Sequence, residues 1–101
     1  MSPIEQLRID EDRLASLCRR FQVLELSVFG SVARGEDRDG SDVDLLVTFL
    51  PGAIVTLFTL VELQSELAEL LRRQVDLVPK DGLKPGIRSE VLADAKTLYA
   101  A

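Results

Sequence analysis

The 101-residue chain has no histidine and one cysteine, Cys18. Without histidine, Ser-His and Cys-His catalysis is excluded, and zinc lacks its usual ligands. A lone cysteine closes no intramolecular disulfide, so a reducing compartment is the simpler expectation. Any metal here must be hard and oxygen-bound, which favours magnesium or manganese. Long apolar runs are also missing. The most apolar stretch, residues 53–63, is too short to span a bilayer and is followed by charge. The N-terminus carries Glu5, Arg8, Asp10, Glu11 and Asp12 in place of a signal-peptide apolar core. A cytoplasmic protein with no membrane attachment is expected. Nor is there an excess of positive charge: a net charge of −5 argues against direct nucleic-acid binding by phosphate neutralisation. Arg19-Arg20, Arg72-Arg73 and the Lys80–Lys84 stretch are still locally basic. No internal repeat, low-complexity tract or linker is found.

What is present is a composition of 47% hydrophobic and 29% charged residues, as in soluble globular proteins. The length fits one domain, residues 1–101, near the small end of what supports a single core. Residues 4–21 read as one helix with Leu7, Leu14, Leu17, Cys18 and Phe21 on a face, and Pro3 suits its first turn. Cys18 on that apolar face reads as plain core. Residues 23–29 read as a strand in which Leu24, Leu26 and Val28 alternate with Glu25 and Ser27. A short helix over 31–34, stopped by Gly35, and a polar loop over 36–41 follow. Residues 43–49 form a second, mostly apolar strand, read as covered on both faces. Pro51-Gly52 breaks the chain, and 53–73 reads as a long helix whose first half has strand-like composition. A third strand over 74–78, a loop over 80–86 and a closing helix over 87–99 complete the order. The expected fold class is α/β (α+β), a small mixed central sheet with helices packed on it.

Two segments carry the chemistry. Asp42-Val43-Asp44 places carboxylates two apart, on one side of an extended chain and about 6.5 Å apart. Two like charges on one face repel, so the pair makes most sense with a cation between them. The blander reading is a turn cap in solvent. Gly30-Ser31 ends an apolar strand with a glycine and a small hydroxyl residue, which lets backbone N–H groups face a phosphate. Its bland reading is an ordinary strand-to-helix turn with Ser31 as cap. Asp76 interrupts an otherwise apolar strand, where a charge is costly without a partner. It either reaches water or Arg72 or Arg73 at a strand end, or joins Asp44 in a three-carboxylate site. Arg34 follows Ser31 by nearly one helical turn and could reach the same phosphates, or it pairs with the acidic loop 36–39.

Gly30-Ser31, ten residues, then Asp42-x-Asp44 resembles the signature of the DNA polymerase beta-type nucleotidyltransferases. More narrowly, the chain resembles the minimal nucleotidyltransferase (MNT) proteins, small antitoxin partners of HEPN-domain toxins. Ser31-x-Ala33-Arg34-Gly35, Ser41-Asp42-x-Asp44-Leu45, Arg73-x-Val75-Asp76-Leu77-Val78 and Ile87-Arg88-x-Glu90-x-Leu92 all look like family features. The resemblance implies a polymerase beta-like fold and a Mg2+-dependent transfer of AMP from ATP onto a hydroxyl. By motif, Gly30 and Ser31 would hold the β and γ phosphates, and Asp42 and Asp44 the metal ions. Asp76 would bind one ion and help deprotonate the acceptor. Two ions about 3.5–4 Å apart would then stabilise both attacking and leaving oxygens. The acceptor implied is a tyrosine of the HEPN-type ribonuclease toxin, silenced by the modification. An alternative is a non-catalytic antitoxin that neutralises by complex formation; a third is transfer to a small molecule such as an aminoglycoside. The apolar run 53–61 reads equally as a partner or homodimer surface and as a helix wedged under the sheet.

Overall fold

The computed structural model describes residues 2–36 and 42–101. The elements are α1 (Pro3–Leu7), α2 (Glu11–Arg20), β1 (Val23–Phe29), α3 (Gly30–Ala33), β2 (Val43–Phe49), α4 (Leu57–Leu71), β3 (Val75–Pro79), α5 (Pro85–Asp94) and β4 (Lys96–Ala100). One four-stranded sheet has the order β3-β2-β1-β4. β1 pairs antiparallel with β2 and with β4, whereas β2 and β3 run parallel through the crossover helix α4. The expected mixed sheet with packed helices is what the chain forms.

Four expectations need correction. The helix read over 4–21 is two helices. Arg8 takes a left-handed conformation, and Asp10 accepts from the backbone N–H groups of Asp12 and Arg13, restarting the helix. The break turns Ile9, as well as Leu7, into the core. The helix read over 53–73 starts only at Leu57, because Thr56 and Thr59 form a reciprocal cap. The closing helix read over 87–99 ends at Asp94, and Lys96–Ala100 forms β4. Thr97 and Tyr99 favour a strand, and only Leu98 of that segment is buried. The register of β1 also shifts between Val23 and Glu25, so the bulged Leu24 turns outward instead of alternating into the core.

The core lies between the sheet and α2 with α4. Leu63, Leu67 and Leu71 form a stripe on α4 at four-residue spacing, and Leu14, Leu17 and Cys18 form one on α2 at i, i+3 and i+4. Leu26, Val28, Val43, Leu45 and Val47 meet them from the two central strands. Burying each such side chain contributes about 1.5–3 kcal/mol. Cys18 is core as expected, and burial pushes its thiol up to about 12. The apolar run behaves differently: Ile54, Leu57, Phe58 and Val61 all face solvent. The reading of a helix wedged under the sheet fails there: α4 first packs on the core with half-buried Leu60 and is fully buried in it from Leu63 onward. Among the described residues no helix is long and apolar enough to cross a membrane.

Candidate active site

One end of the sheet collects the acidic residues. β1 runs toward that end and finishes at Phe29, β2 leaves from it, and parallel β3 starts beside β2. Because the β2–β3 register is in phase, Asp44 and Asp76 are direct cross-strand partners. Parallel pairing requires the helical crossover α4 to bring the chain back to that end. Asp42 lies one residue before β2 and is exposed. Ser41, beside it in the sequence motif, lies outside the described residues, as does most of the polar loop read over 36–41.

Gly30 closes the opposite side. Phe29 pairs with Asp44 across β1 and β2, which sets Gly30 against the Asp44 side chain. Gly30 has φ +72°, a conformation side-chain-bearing residues rarely adopt. A Cβ at this position would collide with Asp44 Oδ2. Glycine is therefore demanded twice, once by backbone and once by space. Ser31 follows, half-buried, in the short helix α3. Gln6 Nε2 donates to the Val32 carbonyl at 3.2 Å, so α1 ties α3 in place.

Asp44 is half-buried, and burial raises its carboxyl above the usual range; the negative charges of Asp76 and then Asp42 raise it further. Arg34 acts the other way. Like charges this close, partly removed from water, form a site whose electrostatics call for a cation. Among the described residues, however, no three acidic side chains already converge as ligands of one ion.

Arg34 is held by acids on both sides. Its Nη1 donates to Asp94 Oδ2 at 2.9 Å and its Nε to Glu36 Oε2 at 3.2 Å. The Glu36 contact was foreseeable from the acidic loop. Asp94, 60 residues on at the end of α5, was not, because only the tertiary fold brings it there. Gln64 was missed too: its Oε1 accepts from the Leu77 N–H at 3.0 Å and steadies β3 just beyond Asp76. The structure thus gathers Asp44 and Asp76 in direct register with Gly30 against the Asp44 side chain, and sets Asp42, Ser31 and Arg34 beside them. The clefts of ≈400 and ≈590 Å³ along α2 and the C-terminal half of α4 contain none of these six residues.

The nucleotidyltransferase domain family matches residues 13–98 of the chain. Over 78 residues the chain is 47% identical to the protein adenylyltransferase MntA of Thermococcus cleftensis, covering 77% of each. A solved structure described as a candidate minimal nucleotidyltransferase superposes with a TM-score of 0.77 at 44% identity, covering 97% of both chains. A toxin–antitoxin structure with AMP-PNP superposes with a TM-score of 0.74 at 24% identity, over 92% of this chain and 75% of that one. At that identity the likeness speaks to the fold alone.

Proposed function

The chain belongs to the nucleotidyltransferase domain family, and on that premise we propose that it transfers AMP from ATP to a hydroxyl of a partner protein. The partner in this reading is an HEPN-type ribonuclease toxin, the acceptor a tyrosine, and the outcome neutralisation of the toxin. The observation that carries the reading is the Asp44 carboxylate, seated against Gly30, in register with Asp76 and in the field of Asp42. The name of the Thermococcus relative supports protein adenylylation. The toxin–antitoxin neighbour with AMP-PNP supports the fold on which this reading is built.

The residues present fit magnesium. The donor set is all carboxylate, the chemistry of a hard cation, and a cation relieves the repulsion that raises Asp44. Asp42, Asp44 and Asp76 would hold the metal, and exposed Asp42 and Asp76 turn toward Asp44 at small cost. When bound, magnesium supplies charge neutralisation at the phosphates and lowers the pKa of a coordinated hydroxyl. Gly30 lets the backbone approach the triphosphate, and Ser31 offers a hydroxyl to the β and γ phosphates. Arg34 exchanges Asp94 or Glu36 for phosphate oxygens. Asp76 accepts the acceptor's proton, the role left to a carboxylate in a chain without histidine. The acceptor oxygen then displaces pyrophosphate from the α-phosphorus and keeps AMP.

The test is the intact mass of the co-expressed partner after incubation with this protein, ATP and magnesium. The Asp42→Asn/Asp44→Asn double variant is the control. A gain of AMP units with wild type only is expected. A stable complex with no mass gain would instead make the chain a binding antitoxin that keeps the fold without using its chemistry.

A further inference from the structure

The end of the sheet away from the carboxylates carries a second functional surface. Ile54 is 86% exposed, Leu57 75%, Phe58 85% and Val61 58%. These four belong to one stretch, the segment entering α4 and its first turns. Ordinary solvated helices expose apolar residues singly, not in such a block. Beside it lies an open groove of ≈380 Å³, lined by Leu50, Ala53, Val55 and Pro79 and also by Lys80 and Asp81. The groove and the projecting side chains are continuous through residues 53–55.

We propose that this face joins a second copy of this chain across a two-fold axis, with Phe58 of each copy seated in the groove of the other. Three observations favour a second copy over a foreign partner. Projection and recess sit side by side on one patch, and a two-fold contact needs such self-complementarity. With Val55 and Leu50 included, the exposed apolar side chains amount to roughly 600 Å² per copy, most of the ~800 Å² that a standard-size interface takes from each partner. The third is position. β2 runs seven residues from Val43 to Phe49, which puts the patch about 20 Å from Asp44. An acceptor protein must reach the carboxylate end, whereas a pair formed through the far end leaves both sites open and facing outward. The third observation rests on the reading of those carboxylates as catalytic; the first two stand without it.

The experiment is sedimentation equilibrium of the wild-type chain and of Phe58→Glu, with hydrogen exchange on the wild type. The wild type is expected at twice its 11.2 kDa monomer mass, with concentration-dependent protection over residues 54–61. Each substitution acts twice across the axis, so Phe58→Glu should raise the dissociation constant roughly 1,000-fold. Its circular dichroism should be unaltered, because Phe58 is outside the core, and its melting temperature should lose the concentration dependence that association gives the wild type. An Asp44→Asn variant should associate as the wild type does, which separates this surface from the site. A wild type that stays monomeric at several hundred micromolar overturns the proposal. So does a dimer that survives Phe58→Glu, or protection confined to the edge strands. If the monomer binds its protein acceptor and Phe58→Glu abolishes that complex, the face belongs to the acceptor and the proposal fails.

Discussion

Replacing Gly30 with alanine places a methyl group where the Asp44 carboxylate now lies, on a backbone with φ +72°. The cost has two separable parts. A side-chain-bearing residue in the left-handed region loses about 1–2 kcal/mol. Pushing the Asp44 side chain off its preferred rotamer adds about 0.5–1.5 kcal/mol. Together these come to about 2–3 kcal/mol, or roughly 10–20 °C in melting temperature for a domain of this size. The second part vanishes when Asp44 is shortened. In an Asp44→Ala background, Gly30→Ala should therefore cost about 1 kcal/mol less, a non-additivity readable from thermal unfolding of the four proteins. Activity should respond more steeply than stability, because displacing a reacting group by about 1 Å lowers a rate by about 100-fold. The assay is AMP incorporation into the co-expressed partner, read by mass. Additive melting shifts, or a Gly30→Ala protein with wild-type transfer, would refute the claim that this glycine exists to make room for the carboxylate.

Four further outcomes are expected. Burial and the charges of Asp76 and Asp42 raise Asp44 above its ordinary 3.8. The unfolded chain therefore releases this proton first, and stability falls as pH rises from about 4 through the higher folded value. Asp44→Asn should remove that loss, so its melting-temperature advantage over wild type should widen as pH rises above the ordinary 3.8; a constant difference would contradict the shift. Magnesium should raise the melting temperature of wild type and leave Asp44→Asn unmoved. Arg34→Ala should raise the KM for ATP roughly tenfold or more, through loss of one charge-assisted bond to phosphate. Its melting temperature should hardly change, since Arg34 and its partners lie near the surface; an unaltered KM would remove Arg34 from the phosphate site. Leu98→Ala should destabilise by about 2 kcal/mol or more, measurable by urea titration, because Leu98 is the buried anchor of β4.

Much of this was legible in the order of residues, because short strands bounded by glycine and proline announce themselves. β1 and β2 lie where alternation and apolar runs placed them, and Asp44 and Asp76 were identifiable as charges in strands that give no reason for them. The local competition between elements was less visible. At Asp10 a side-chain cap outweighs a continuous helical face, and Thr56 does the same before α4. β4 was hidden because Val91, Ala95 and Leu98 also fit helical spacing, and only the free edge of β1 decides for a strand. Register is a tertiary quantity. No spacing within one segment states that Asp44 faces Asp76, or that Asp94 reaches Arg34.

The position of Asp76 has a consequence for heat and time. β3 is an outer strand with β2 as its one neighbour, steadied on the helix side by Gln64. Outer strands fray before the centre of a sheet does. A third of the acidic cluster thus rides on a segment that can detach while α2, α4 and the central strands stay folded. Warming should then silence the protein several degrees before it melts, and cooling should restore it without refolding. The cluster would then be complete only while the sheet is closed to its margin.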